Sequence, residues 1–371
     1  MASIAIDATY TVDPQPSGVS VYSRRLIESL LELDSGHRFL ICYRISRWKR
    51  RGEFLRLGKR HTEGRGGKQS RTCIFQEPWS FRLPRRAELF HSLAQRPAPF
   101  RFRREIVTIH DVFPLTSRDY STPAFQRKFS ELLIEAAERA RRIITPSQYT
   151  ANQLVRYAGI RQEKICVIPE GVDLPHQTLS REARRKERER WMGKGNEMIL
   201  VVGVIQTRKN TLGALHALER LPARYRMVLA GGDGHGSDVV HEYLRKAALS
   251  ERVRVLGHIT RAELISLYQA ANVMLFPSFE EGFGLPVLEA MAYGLPVVAS
   301  NASSLPEVGG KAALYADPHD FGDIAAKSMQ ALEDKNLRSS MIEAGLARAR
   351  EFSWRRAAER TLQVYNQILC E

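Results

Sequence analysis

A chain of 371 residues exceeds what one ordinary hydrophobic core supports, so two domains of roughly 150 to 200 residues each are expected, with a cleft between them. Its 43% hydrophobic and 26% charged residues suit a globular protein, and no window approaches the roughly 18 apolar residues of a membrane span. The formal net charge of +15 calls for a polyanionic partner, a class that covers nucleic acid, anionic lipid and phosphorylated substrates alike.

The opening MASIAIDATYTVD enters an alternating apolar strand without the basic start and apolar run of a secretory signal, so a cytoplasmic location is expected. Residues 16–18, Pro-Ser-Gly, then lead into an apolar-periodic helix, and RFLICY reads as the next strand. Between Arg44 and Arg71 stand eleven Lys or Arg against two acids, interleaved with Trp48, Phe54 and Leu57. This basic patch is either a solvated loop or a contact with an anionic membrane surface. The strands AELFHSL and EIVTIHDV follow, then a helix across Pro123 to Arg142 and the strand RIITP. Ser147 should cap a helix that stops at Gly159, and KICVIPEGVD reads as a closing strand.

Leu174 to Asn196 is polar and highly charged without an apolar period, as in a linker or surface helix. A second cycle opens with EMILVVGVIQTRKN, apolar on both faces as a central parallel strand should be, and continues through RYRMVLAGGDG, RVRVLGHI, NVMLFPSF and LPVVAS. Strands alternating with helical stretches predict an α/β protein with parallel sheets. The terminal FSWRRAAERTLQVYNQILCE is an amphipathic helix with Phe352, Trp354, Ala357, Leu362, Val364, Tyr365 and Ile368 as packing residues. Cys42, Cys73, Cys166 and Cys370 show neither CxxC nor Cys/His spacing, so no disulfide framework, zinc site or other metal site is expected.

The stretch 276–308 carries the most chemistry. A strand ends, the loop Glu-Gly-Phe-Gly follows, and Pro286 opens a helix whose first turn is expected to hold Glu289. Ligands of open parallel sheets sit at the carboxyl ends of strands, where helix N-termini present free N–H groups. Gly282 and Gly284 allow close backbone approach, and Glu281 and Glu289 can bracket a ligand, each carboxylate accepting two hydroxyls of a sugar or ribose. Neither glutamate is expected in the core. Beyond Gly203, Arg208 and Lys209 precede a helix beginning near Thr211 and could neutralise a departing diphosphate without a metal. His110 ends a strand, with His91 a candidate to position it; the adjacent His110–Asp111 pair supplies too few ligands for a metal. The plain alternatives are a solvated glutamate on a capped helix, a solvated Arg–Lys pair, a structural histidine and, at Gly18, a turn glycine.

With those residues in view, the paired-glutamate segment resembles the signature of the family-four retaining glycosyltransferases, a group with the GT-B fold of two facing Rossmann-like domains. The resemblance spans nearly the whole chain, including IPEGVD at 168–173 and the terminal FSW helix, and its wording is most similar to bacterial mannosyltransferases of O-antigen and exopolysaccharide assembly. It implies an acceptor domain at 1–173 joined by the helix at about 353–371, a linker at 174–196 and a donor domain at 197–352. It gives Glu281, His110, Arg208 and Lys209 catalytic roles. Donor binding would fall to Gly18, Gly203, Arg208, Lys209, Gly232, Gly257, Ile259, Glu281, Gly282, Phe283, Gly284, Leu285 and Glu289, with the base held by the loops at 230–234 and 256–260. The donor would be a nucleotide-diphosphate sugar, the acceptor a glycan or lipid-linked chain, with no cofactor. Where the family usually has Asn, this chain has Glu170. A nucleotide-sugar epimerase or a phosphorylase of the same architecture is the first rival, although the cofactor-lysine motif of a phosphorylase is missing; a UDP-sugar donor is also open. A nucleic-acid-binding protein is the second, without a recognisable nucleic-acid module.

Overall fold

The computed structural model describes residues 1–13, 17–44, 70–75, 86–175, 177–247 and 249–371, with only the backbone of 70–75. The basic segment between Arg44 and Arg71 therefore lies outside the described residues except at its two ends. The chain divides into two compact units, the first comprising Met1–Thr116, Ala124–Gly171 and Phe352–Glu371, the second Ser117–Pro123 and Val172–Glu351.

The first unit is a seven-stranded parallel sheet of β1 (Ser3–Asp7), β2 (Arg38–Arg44), β3 (Ser70–Phe75), β4 (Leu89–Ser92), β5 (Glu105–Thr108), β6 (Arg142–Thr145) and β7 (Ile165–Val167). Their order, β3-β2-β1-β4-β5-β6-β7, reverses direction between β1 and β4. Ile6 pairs with Ile41 on one side and His91 on the other, and Ile4, Ala5 and Ile6 are all buried, as in a sheet covered on both faces. Strand β3 was not anticipated, because Ser70-Arg-Thr-Cys-Ile-Phe adjoins the basic tract and has only two strong apolar residues. The closing strand is shorter than IPEGVD suggested: it stops at Val167, and Pro169 brings no N–H to extend a ladder.

Helix α1 (Gly18–Glu32) is capped by Ser17, α2 (Pro123–Arg139) ends three residues before the expected Arg142, and α3 (Gln148–Ala158) shows the anticipated Ser147 cap and left-handed Gly159. The C-terminal helix, Trp354–Cys370, packs in this unit against α1. Trp354, Ala357, Val364, Tyr365 and Ile368 are buried as expected, while Phe352 and Leu362 are half-buried. Each fully buried large apolar side chain of this face contributes about 2 kcal/mol. Gly171 permits the helix to enter: a Cβ there would stand 2.2 Å from the Trp354 nitrogen.

The second unit begins with α4 (Arg181–Met192), a helix capped by Ser180 inside the charged linker. Its six parallel strands are β8 (Glu197–Val202), β9 (Tyr225–Ala230), β10 (Val253–Gly257), β11 (Val273–Phe276), β12 (Val297–Ser300) and β13 (Leu314–Ala316), in the order β10-β9-β8-β11-β12-β13. Between them run α5 (Thr211–Glu219), α6 (Ser237–Lys246), α7 (Arg261–Ala270) and α8 (Leu285–Ala292), followed by α9 (Phe321–Glu333) and α10 (Lys335–Arg350). The strand order reverses between β8 and β11, so a crevice opens beyond their carboxyl ends, where parallel sheets hold ligands. Among the described residues no helix is long and apolar enough to cross a membrane.

Candidate active site

The loops after β8 and β11 flank this reversal and are joined by the Phe279 N–H donating to the Arg208 carbonyl at 2.9 Å. Asn210 fixes the first loop in a left-handed conformation, φ 53°. Its side-chain oxygen accepts from the Gly213 N–H at 3.1 Å, and its amide donates to the carbonyls of Pro277 at 3.1 Å and Pro318 at 2.7 Å. The second loop is held from beyond β12, where the Ser304 hydroxyl can donate to the carbonyls of Glu281 at 2.9 Å and Phe283 at 2.7 Å. Gly284 has φ 111°, and a Cβ there would meet Leu305 at 2.7 Å, so this position requires glycine before any ligand arrives. Gly282 lies between these anchored residues, with Phe283 and Leu285 buried beside it.

Within this frame Arg208, Lys209 and Glu281 form one cluster. The Lys209 ammonium lies 2.5 Å from Glu281 Oε1 and 4.8 Å from the Phe276 ring centroid, while Arg208 Nη1 lies 3.2 Å from Glu281 Oε2 and also donates to the Glu280 carbonyl. Burial pushes the Glu281 carboxyl up, but Lys209 and then Arg208 together hold it below its ordinary 4.5. Two cations are held against the Glu281 carboxylate, preorganised in a low-dielectric wall where anion binding is strongest.

Glu289 lies in the second turn of α8, not the first, and is buried like Glu281, contrary to the expectation that neither glutamate enters the core. Its carboxylate accepts from Arg261 Nη1 at 2.5 Å and from the Tyr268 hydroxyl at 2.9 Å. Burial raises its carboxyl pKa despite Arg261 and Tyr268. Arg261 and Tyr268 are seven apart on α7, two turns along one face. Sequence reasoning missed both, although that spacing was a usable signal. It also missed Glu280, which is buried, and Tyr120, half-buried in the segment that clusters with the second unit, whose hydroxyl is held neutral by burial and the nearby Glu280.

Gly203 follows β8 with φ 131°, and the backbone at Gly231 comes so close that a Cβ there would stand 1.9 Å from the Gly203 carbonyl oxygen. Gly231 bridges Gly257, which brings the loops at 230–234 and 256–260 together, and Gly232 packs against the His258 ring. Ile259 is half-buried next to Thr260, whose capping box with Glu263 starts α7 and aims Arg261 at Glu289.

In the first unit, His110 stands two residues beyond β5 and is buried. Its Nδ1 lies 3.1 Å from Glu170 Oε1 and its Nε2 2.9 Å from the Leu93 carbonyl, while the Tyr22 ring meets it edge-on at 4.5 Å. Burial favours the neutral ring, but Glu170, the Leu93 carbonyl and Asp111 outweigh it and raise the pKa above 6.5. Both nitrogens face acceptors, so the geometry suits an imidazolium. This gives the Glu170 departure a physical consequence: a carboxylate where the family has a neutral amide. His91 does not hydrogen-bond His110. Its nitrogens contact the Tyr365 hydroxyl at 2.6 Å and Thr108 Oγ1 at 2.9 Å, and burial pushes its pKa down to about 3, so it ties the terminal helix to the sheet as a neutral ring. Gly18 is exposed at the start of α1, with no described atom within 4 Å of where a Cβ would lie.

Two parallel sheets, each with a strand-order reversal, and a paired cationic and acidic cluster at one reversal are the marks of a GT-B glycosyltransferase. The sequence comparisons agree: the description "Glycosyl transferases group 1" fits residues 183–348, and "Glycosyltransferase Family 4" fits residues 16–175. The chain belongs to the family-four glycosyltransferases. It is 34% identical over 283 residues to the O-antigen chain mannosyltransferase B of Escherichia coli, covering 73% of this chain and 72% of that one. It is also 31% identical over 278 residues to the serotype-specific mannosyltransferase WbdA of Escherichia coli, spanning 72% of this chain but about a third of WbdA, 34%. The fold matches that of Anabaena Alr3699/HepE, solved with UDP and glucose, with a TM-score of 0.77 at 18% identity over 99% of this chain and 100% of that one. WaaG, a glycosyltransferase of lipopolysaccharide biosynthesis, matches with a TM-score of 0.71 at 14% identity over 97% and 99% of the two chains.

Proposed function

We propose that the protein transfers mannose from GDP-mannose, with retention of anomeric configuration and without a metal, onto a glycan or lipid-linked acceptor in cell-surface polysaccharide synthesis. The observation that carries this reading is the Arg208–Lys209–Glu281 cluster at the β8/β11 reversal. A nucleoside diphosphate leaves with added negative charge, and two fixed cations offset that charge as it develops. Glu281, turned partly from its cations by the arriving diphosphate, accepts hydroxyls of the sugar, and Glu289 accepts those of the ribose. The acceptor oxygen bonds to the anomeric carbon on the face from which the phosphate oxygen departs, and that oxygen takes the acceptor proton. The mannosyltransferase relatives support the choice of sugar. Peripheral attachment of the basic tract between Arg44 and Arg71 to an anionic membrane is the corresponding proposal for location, supported by its charge alone.

Thermal-shift titration with GDP-mannose, UDP-glucose and ADP-glucose in EDTA tests the reading. Ligand at a hundred times its dissociation constant stabilises by about 2.7 kcal/mol, and GDP-mannose alone should reach this at micromolar concentration. A larger shift with a UDP or ADP sugar would overturn the donor assignment.

A further inference from the structure

The charged helix α4 carries Arg181, Arg184, Arg185 and Arg188, spaced i, i+3, i+4 and i+7, which places them on one stripe. With Arg338 of α10 they line a cleft of about 720 Å³ over an apolar floor that includes Pro296 and Ile342. Glu197 begins β8, and Asn272 and Pro296 directly precede β11 and β12, so this cleft opens at the amino ends of the strands. The Arg208–Lys209 cluster stands at their carboxyl ends, about 20 Å away along a six-residue strand.

Several of these guanidiniums are held by main-chain oxygens and keep their charge. Arg184 Nε donates to the Leu179 carbonyl at 3.1 Å, Arg188 Nε to Ala270 at 2.9 Å and Arg338 Nη1 to Leu332 at 3.3 Å. Capping carbonyls in this way uses one N–H of the five each arginine has. The lining carboxylates are too few and badly placed to neutralise the rest: Glu182 pairs with Lys186 at 2.9 Å, and Glu197 reaches Arg188 only at 3.9 Å. Arg185 has Glu189 at 3.7 Å, outside the cleft lining. Burial disfavours the charge of Arg184 and Arg188; at Arg188 the nearby Glu197 opposes this and Arg338 adds to it. The oxygens of Gln269 and Asn272 accept from the N–H groups of Leu179 and Met198, leaving their NH₂ groups as donors. A wall of donors and cations with an apolar floor is complementary to a small polyanion.

We infer that the arginine cleft between α4 and α10 is a second anion site, binding a ligand with two or more phosphate groups independently of the donor site. Planar guanidinium forks from two helices bind phosphate oxygens bidentately, and the volume leaves room for a diphosphate together with the group that carries it. The phosphates can belong to a soluble compound or to a lipid headgroup.

Calorimetric titration of the full chain with inorganic pyrophosphate tests this, comparing wild type with R181Q/R185Q and with R208Q. Arg181 and Arg185 are exposed, so the double variant should melt with the wild type. Wild type should show two classes of site. R181Q/R185Q should weaken one class at least tenfold, and R208Q should keep that class while weakening the other. An R181Q/R185Q titration identical to wild type, or no pyrophosphate binding to R208Q, would overturn the inference. Flotation with phosphatidylcholine vesicles carrying phosphatidylinositol 4,5-bisphosphate, a lipid with several headgroup phosphates, distinguishes the sources. Flotation that drops in R181Q/R185Q assigns a lipid headgroup, and pyrophosphate binding without such a drop assigns a soluble ligand.

Discussion

Replacing Glu281 by Gln removes the carboxylate that pairs with both Lys209 and Arg208, while preserving the side-chain shape. Breaking one partner of a buried pair leaves uncompensated charge and costs about 3 kcal/mol. For a unit of this size that lowers the melting temperature by about 6 to 12 °C. The pH dependence should change in the same sense. In the wild type the folded carboxyl titrates below its ordinary 4.5, so its contribution is present above that pH and is lost as pH falls through the lowered value. The variant should therefore lose part of the wild-type acid limb. It should also bind free GDP at least as tightly, because the carboxylate no longer competes for the two cations, while turnover falls much more than affinity. Calorimetric melts from pH 3 to pH 7, with GDP titration and steady-state kinetics, make the comparison. A variant melting within about 1 °C of wild type, with an unchanged acid limb, would refute the energetic role of the cluster.

Arg208→Ala should lower kcat/KM by more than a hundredfold, about 3 kcal/mol, because a buried charge-assisted contact to the leaving group disappears; a loss below tenfold in folded protein would contradict its role. Glu289→Gln, weakening the contacts with Arg261 and Tyr268, should raise the donor KM with a small change in kcat, and an unchanged KM would remove Glu289 from the nucleotide site. Glu170→Gln should lower the His110 pKa, read by NMR titration of the ring protons, since the largest of the contributions that oppose burial is removed. The wild-type pair stabilises fully below the unfolded value of 6.5 and fades as pH rises through the raised folded value, so this variant should lose stability mainly at acid pH. Identical titrations of His110 in both proteins would show that Glu170 does not hold its proton.

The parallel sheets were legible because Met198 to Val202 and its counterparts are apolar on both faces, a pattern that only a covered strand tolerates. The loops of the site were legible for the same reason, since they follow those strands and carry glycine, proline and charge. Burial of Glu281 and Glu289 was not, because a glutamate beside polar loop residues reads as solvated until Lys209, 72 positions away, is seen to accompany it. The His110–Glu170 and His91–Tyr365 contacts span 60 and 274 positions and left no local trace. Strand β3 was hidden by the basic tract it adjoins. The four arginines of α4 were visible as charge, but their common cleft depends on Arg338, which only the fold brings near.

The central claim is retaining transfer supported by side-chain cations, and NMR analysis of the product formed from α-linked GDP-mannose in EDTA tests it most directly. The anomeric proton–carbon coupling of the new linkage should report an α-mannoside, formed at the same rate with or without added Mg²⁺ or Mn²⁺. A β-mannoside, or transfer that begins only when metal is restored, would contradict the account.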